Sequence, residues 1–377
     1  MLLDLALVGF GNVGRRFVRL LDERADELRR DHDLECRIVG IATGRHGVAR
    51  DLRGLDVPRA VGLVERGEAL GALDAPSSFP ADVGAEPRSG TAFIEQVAAG
   101  VRALDASRVL VVVETTVLDI HAGQPAIDHV RAGLGAGAHV VTANKGPAAF
   151  AYAELAGLAR TSNRSFLFEG AVMDGIPIFN LARETLPTVH VNGFRGVVNS
   201  TTNYIITAME NGREFDEALA EMQSAGIAEA DASLDVDGWD AAAKASAIAN
   251  VLMGGALTPQ RVERTGIGGL TGADVRAAVA RGRRLKLVAS AERRGGEVRA
   301  RVAPEELPAD DLLATLRDQQ NALLLDTDLL GRFAIVQLGG GLTQTAYALV
   351  SDLVAARNQV VASNASRSFL SSKPRTT

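Results

Sequence analysis

The strongest constraint on the fold lies at the very start of the chain. An apolar run, LLDLALV (2–8), leads directly into Gly9-Phe10-Gly11-Asn12-Val13-Gly14, and a helical pattern, RRFVRLLDERADELRR, follows at once. A strand that enters a helix through G-x-G-x-x-G is the phosphate-binding turn of a dinucleotide fold. Gly9 permits the tight turn, Gly11 lets the backbone approach a pyrophosphate, and Gly14 allows the helix to pack closely on the strand. The helix N-terminus, where Asn12 and Val13 stand, attracts the anion through free N–H groups and the helix dipole. Taken alone, such a turn could be a glycine-rich bend with no ligand, so the residues that follow carry the argument.

Four more stretches read as buried strands: CRIVGIA (36–42), RVLVVVE (108–114), HVVTA (139–143) and SFLFE (165–169). Between them lie helical patterns in FIEQVAAGVRAL, GQPAIDHVRAGLGAG and YAELAGLAR. This alternation predicts an α/β fold, a Rossmann-type doubly wound parallel sheet. Residues 45–105 are rich in Gly and Pro and resist reading until the helix near their end. After about residue 170 the rhythm changes. HVNGFRGVVNS (190–200) reads as strand, TTNYIITAMENG as a helix capped by Ser or Thr, and REFDEALAEMQSAG as an amphipathic helix. RRLKLVASAERRGGEVRARVAPEEL reads as a hairpin turning at Arg294-Gly295-Gly296. The expected organisation is a dinucleotide domain at 1–150, a second α+β domain at 151–335, a segment 336–370 returning to the first domain, and a disordered tail at 371–377.

A chain of 377 residues is long enough for two such domains. Its net charge of −6, with acids and bases interspersed, points to neither nucleic acid nor an anionic membrane. No apolar run of about 20 residues exists to span a bilayer. Met1 leads into a strand within a few residues, leaving no room for a signal peptide. The lone Cys36 excludes internal disulfides and suits a reducing compartment. A cytoplasmic location is expected. Of the 40 basic residues only Lys145, Lys244, Lys286 and Lys373 are lysine. Arginine keeps its proton at any working pH, whereas a buried lysine can release one, so each lysine is a candidate for proton chemistry.

Thr115-Thr116 and Asn144-Lys145 fall at the carboxyl ends of the strands at 108–114 and 139–143, where open α/β sheets bind ligands. At the end of the second strand, where an acid would hold the ribose of NAD, the sequence is Ala42-Thr43-Gly44-Arg45-His46. Arg45 suits the 2′-phosphate of NADP, which the reading favours while leaving NAD open. Further on, Glu229, Asp231, Asp235, Asp237 and Asp240 crowd one stretch. It could be a solvated loop, a calcium loop (though the twelve-residue ligand spacing is missing), or a pocket for a substrate ammonium. The helix at 239–255 bears on this choice, because Asp240 and Lys244 share a face that continues through Ala247, Ile248 and Val251. A surface ion pair is worth about a few tenths of a kcal/mol. An isolated buried pair costs several kcal/mol per ion in desolvation, so keeping one points to chemistry. Hydride reduction of a carbonyl leaves an alkoxide that needs a proton, and Lys244 beside Asp240 is placed to supply it.

NSTTNYIITAMENG (199–212) and GIAEADASLDVDGWDAAAKA (226–245), together with GFGNVG, ETT at 114–116 and TANKG at 142–146, strongly resemble homoserine dehydrogenases. The likeness spans most of residues 1–360 and is densest in 199–245. It implies reversible NAD(P)H-dependent reduction of L-aspartate 4-semialdehyde to L-homoserine, on the route to threonine, methionine and isoleucine. Carried over residue by residue, it gives Lys244 the proton, with Lys145 as a rival carrier. Glu229, Asp235, Asp240 and Lys145 would bind the amino acid. Thr115, Thr116 and Lys145 would lie beside the nicotinamide, and Gly226 and the turn Gly339-Gly340-Gly341 would contact the cofactor. The resemblance also implies a monovalent cation, sodium, held by Glu169 and the backbone carbonyls of Val172, Asp174 and Ile176; Asp174 stands where a small residue is usual. It implies a homodimer formed through the second domain. The chain ends soon after SDLVAARNQ (351–359), so no C-terminal regulatory domain is expected. Two other readings stay open: another amino-acid dehydrogenase, such as one acting on aspartate, and a redox-silent nucleotide-binding regulator.

Overall fold

The computed structural model describes residues 1–79, 87–224 and 232–371, with side chains as far as 365. Its first sheet contains β1 (Leu2–Val8), β2 (Glu35–Thr43), β3 (Gly47–Arg50), β4 (Val109–Glu114), β5 (His139–Thr142) and β6 (Phe166–Leu167). Their order is β3-β2-β1-β4-β5-β6. All neighbours pair in parallel except β3, which folds back antiparallel on β2. The central strands are buried along nearly their whole length, as expected of a sheet covered on both faces. The covering helices are α1 (Asn12–Glu23), α2 (Ala25–His32), α3 (Val57–Glu65), α4 (Gly90–Leu104), α5 (Ala126–Gly135), α6 (Gly146–Phe150) and α7 (Tyr152–Ser162). The strand order reverses between β1 and β4, which opens a crevice at their carboxyl ends. Because β6 still belongs to this sheet, the first layer runs on to Leu167, past the boundary expected at 150.

The stretch 45–105 is organised from inside. Arg50, only 1% exposed, closes both arms of its guanidinium on Asp74 at 3.0 Å. It also donates to Gln96 at 2.9 Å and stacks over Phe79. Long-range contacts of this kind leave no periodic trace in a sequence.

The second layer contains α8 (Phe179–Thr185), β7 (Val191–Val197), α9 (Ser200–Glu210), α10 (Phe215–Ser224), α11 (Ser233–Val236), α12 (Trp239–Met253), β8 (Glu263–Arg264), α13 (Gly272–Ala280), β9 (Arg283–Arg294), β10 (Glu297–Pro308), β11 (Asn321–Thr327) and β12 (Arg332–Gln337). The sheet order is β12-β11-β7-β9-β10-β8, antiparallel apart from the short β8–β10 pairing. The β9–β10 hairpin turns at Gly295 and Gly296, both with positive φ, where the sequence placed it. α12 is apolar nearly all round, packs on α6 and β10, and ends at Gly254 in a left-handed C-cap. The last helix, α14 (Leu342–Ser371), returns to the first layer and packs on α1. The tail beyond 371 lies outside the described residues. Among the described residues no helix is long and apolar enough to cross a membrane.

Lys286 on β9 is fully buried. Its ammonium donates to Asn203 Oδ1 at 2.9 Å and to the Leu316 carbonyl at 2.8 Å, and burial pushes its pKa down to about 8 from 10.5. Between those values the unfolded chain still holds a proton that the folded chain has released, so folding stability rises with pH across that window. Relative to Lys286→Met, the wild type should gain about 3 kcal/mol between pH 8 and pH 10.5, read by urea unfolding at several pH values. A constant difference between the two proteins would refute a depressed Lys286.

Candidate active site

The glycine turn adopts the geometry its spacing requires. Gly9 has φ +89°, and a Cβ there would lie 2.7 Å from the carbonyl carbon and oxygen of Thr115 and 2.8 Å from the Thr116 nitrogen. The Gly14 position is close to the Gly9 carbonyl and the Thr115 hydroxyl, so α1 seats directly on the turn. Gly11, the N-cap of α1, has nothing within 4 Å of its Cβ position and no side chain caps the helix. Its free N–H groups therefore face open space fit for a pyrophosphate. The Thr115 hydroxyl donates to the Gly9 carbonyl at 2.9 Å, tying β4 to the turn. Asn12 is exposed and accepts from Arg15, and Val13 is half-buried. Arg45 is exposed on the turn between β2 and β3, and no acid stands at the end of β2.

The loops after β4 and β5 are tied together by one buried acid. Glu114 ends β4 with no exposure. Its Oε1 accepts the Thr116 N–H at 3.0 Å and also the Thr116 hydroxyl, and its Oε2 accepts from Thr142 at 2.7 Å. Asn144 continues the lattice: its N–H donates to Thr142 Oγ1 at 2.9 Å, its amide to the Thr116 carbonyl at 3.0 Å, and its Oδ1 accepts from Gly146. Lys145 is presented at the end of this lattice, at the start of α6. Glu114 is a functional residue beyond those expected above, and a charged residue closing an apolar strand is its mark in the sequence.

The second layer brings the other half. α9 is capped by Asn199 rather than by the expected Ser or Thr: its Oδ1 accepts the Thr202 N–H at 2.8 Å. The reason lies across the cleft. The Asn199 amide also donates to Asp235 at 2.6 Å and to Asp240 at 2.9 Å, and a hydroxyl cannot supply two donors while accepting in the cap. Asp240 then takes Lys244 at 2.9 Å and Lys145 at 3.1 Å, and Lys244 donates to the Val198 carbonyl at 2.7 Å. These three side chains are only 15–21% exposed.

The charges set one another. Burial alone would raise the Asp240 pKa, but the ammonium groups of Lys145 and Lys244 hold it far below the usual carboxylate range. Burial alone would lower Lys244; Asp240 first, then Asp174 and Asp235, outweigh it and hold the ammonium above an ordinary lysine. Asp235 is shifted upward by burial and by the charge of Asp240. At neutral pH Asp240 is therefore a carboxylate and Lys244 an ammonium.

Of the remaining expected residues, Gly226 and Glu229, with neighbouring Asp231, lie outside the described residues. Gly341, with φ +148°, sits just before α14. Glu169, expected as a cation ligand, is 2% exposed and accepts the N–H groups of Ile178, Phe179 and Asn180 at the start of α8. Its own N–H donates to buried Asp352, whose pKa burial pushes up to about 7. Val172 and Ile176 flank the turn Met173–Gly175. Asp174, expected to leave its carbonyl available while altering the local charge, has a carboxylate whose charge acts on Lys244. No group of three or more His, Cys, Asp or Glu side chains placed to hold a metal occurs among the described residues.

The sequence matches the family described as "Homoserine dehydrogenase, NAD binding domain" over residues 9–169 and "Homoserine dehydrogenase" over 177–354. It is 36% identical to the NAD(+)-dependent homoserine dehydrogenase of Pseudomonas canavaninivorans, over 93% of this chain and 95% of that one. It is 34% identical to the homoserine dehydrogenase of Methanocaldococcus jannaschii, over 93% and 98%. Among solved structures, a homoserine dehydrogenase from Thiobacillus denitrificans superposes with TM-score 0.76 at 29% identity, covering 96% of this chain and 74% of that one. One from Thermoplasma acidophilum gives TM-score 0.73 at 25% identity, covering 94% and 99%.

Two glycine variants separate fold from ligand. Gly9→Ala should lower thermal stability and weaken nicotinamide-cofactor binding by at least about tenfold, because its methyl meets backbone. Gly11→Ala should keep the wild-type Tm and lose cofactor affinity only, since its methyl meets no protein atom. Thermal unfolding alongside cofactor titration checks both; unchanged cofactor affinity in Gly11→Ala would show that the open space at Gly11 is not a ligand site.

Proposed function

The chain belongs to the homoserine dehydrogenase family, and on that premise we propose that Lys244 moves the proton as L-aspartate 4-semialdehyde and L-homoserine interconvert, in threonine, methionine and isoleucine biosynthesis. The observation that carries this reading is the contact of Asp240 with both Lys145 and Lys244. Of the three N–H donors on Lys244, Val198 and Asp240 engage two, which leaves the third for a substrate oxygen. The nicotinamide, when bound, supplies or accepts the hydride. In reduction, Lys244 donates its proton as negative charge develops on the carbonyl oxygen, and Asp240 keeps the ammonium in line. In oxidation, Lys244 must first be neutral to take the hydroxyl proton. Lys145, Asp235 and Asp240 hold the amino acid beside the nicotinamide, which fixes reacting atoms in place; Glu229 joins them in this reading.

Lys244→Ala should lower kcat for homoserine oxidation by about 10²–10⁴ with little change in cofactor KM. Because the Lys244 pKa is raised, oxidation by the wild type should climb with pH through the alkaline range, by up to about tenfold per unit while neutral amine is scarce. Reduction, which uses the ammonium, should not climb. Absorbance at the nicotinamide band reads both directions, with L-aspartate as the control substrate. Near-normal turnover by Lys244→Ala would move the proton to Lys145, and cofactor binding without turnover would favour a redox-silent regulator.

NADP is the proposed cofactor, with NAD accepted, on the strength of Arg45 and the absence of an acid at the end of β2. Arg45→Ala should lower the ratio of kcat/KM for NADP to that for NAD by about tenfold, because a charge-assisted phosphate contact is lost. An unchanged ratio removes Arg45 from the reading. A sodium ion is proposed at Glu169 and the carbonyls of Val172, Asp174 and Ile176. Its support is the neighbouring pair of buried carboxylates, Glu169 and Asp352, which no basic side chain neutralises by an ion pair among the described residues. A bound cation would supply that charge and brace the turn. A cytoplasmic homodimer completes the proposal; the edge strand β12 and exposed Leu329, Leu330 and Leu338 are surface that a second copy would cover.

A further inference from the structure

The turn that carries Asp174 is built at a cost. Met173, Asp174 and Gly175 all have positive φ, at 49°, 49° and 83°. A left-handed backbone is unfavourable for a side-chain-bearing residue by about 1–2 kcal/mol, least so for Asp and Asn. Two such residues in sequence persist only where the surroundings hold them. Here α14 does so, because a Cβ on Gly175 would meet Ala348 and the Gln344 carbonyl. The conformation sends the Asp174 carboxylate against the Cα of Gly340, where any side chain would overlap it. The Nε2 of Gln337, 1% exposed, donates to its Oδ2 at 3.3 Å. Gln337 is held in turn by Asn321 at 3.0 Å, and Asn321 by Ser200 at 2.8 Å. This chain of amides runs from the Asp174 turn to the first residue of α9, next to the Asn199 that organises the cleft.

Three described carboxylates, Asp174, Asp235 and Asp240, act on the Lys244 ammonium, and Asp240 also meets Lys145. Asp240 is engaged by both lysines and by Asn199. Asp235 receives the Asn199 amide at short range. Among the described residues Asp174 has only the long bond from Gln337, and no basic side chain stands within ion-pair distance of it. It is half-buried, it has unfilled acceptor positions, and its charge reaches Lys244. An amino-acid substrate brings one group that matches such an acceptor, its α-ammonium.

We propose that Asp174 is a substrate-binding residue whose carboxylate takes the α-ammonium of the amino-acid substrate, with Gln337 and Gly340 holding it in place. The proposal rests on the homoserine reading above. It makes Asp174 a specificity residue, because a four-carbon hydroxy acid without the amine leaves this carboxylate unpaired.

The test is steady-state oxidation of L-homoserine by the wild type, Asp174→Asn and Asp174→Glu, with 4-hydroxybutanoate as the same chain lacking the amine. Asp174→Asn should raise the KM for L-homoserine by about tenfold or more while kcat falls less and cofactor KM stays put. Asp174→Glu should recover part of the loss. 4-Hydroxybutanoate, followed as substrate or as competitive inhibitor, should bind Asp174→Asn at least as well as wild type, because the carboxylate it leaves unpaired is gone. An equal penalty for both ligands would mean that Asp174 only shapes the turn or the charge of Lys244, and would overturn the proposal. So would an unchanged homoserine KM, or a penalty abolished by raising sodium, which would assign the carboxylate to the cation. Wild-type enzyme that leaves homoserine untouched would sink the reading of function itself, a separate result.

Discussion

One carboxylate joins the two layers at the place where chemistry is possible. Asp240 enters on the first turn of α12, in the second layer, and meets Lys244 from its own helix and Lys145 from the loop after β5. Each contact at about 3 Å is worth several kcal/mol of gross attraction at an effective dielectric near 20, but withdrawing three charges from water removes an amount of the same order. The triad therefore does little for net stability. It fixes protonation states, and it fixes the separation between the nucleotide crevice and the acidic end of α12.

That triad depends on less conspicuous acids behind it. Asp4, 1% exposed at the start of the first sheet, is gripped by Arg37 and Arg108 and locks β1 between its neighbours. Glu114 gathers the hydroxyls of Thr116 and Thr142 and so sets where Lys145 emerges. Glu169 closes the start of α8 and, through Asp352, binds α14 back onto the first layer. In each case a buried negative charge is tolerated because several donors converge on it, and the chain segments that supply those donors are thereby brought into register.

Much of this was legible in residue order. The glycine turn, the strand–helix alternation, the β9–β10 hairpin and the apolar helix ending at Gly254 all depend on local periodicity and local backbone freedom, and the structure has them where the pattern put them. Lys145, Lys244 and Asp240 stood out because lysine is scarce and because two charges on an apolar helix are anomalous. The hairpin strand β3 and the Arg50 network within 45–105 were not legible, since their partners are far apart in sequence and no spacing rule links Arg50 to Asp74 or Gln96. Asn199 was overlooked as the cap of α9, because its advantage over Ser or Thr is the second donor it turns towards Asp235 and Asp240.

By itself the sequence determined the dinucleotide crevice, the identity of the charged side chains and the pairing of Asp240 with Lys244, because those follow from periods of two and 3.6 residues and from an i, i+4 spacing. Only the tertiary structure decided that Lys145 joins them, that Glu169 is engaged with helix N–H groups, and that the Asp174 carboxylate rests against Gly340 and Gln337. These are meetings between segments separated by anything from nine to 163 positions. They are selected by packing of α14 on the first layer and of α12 on α6, and no local preference encodes the distance at which two remote charges come to rest.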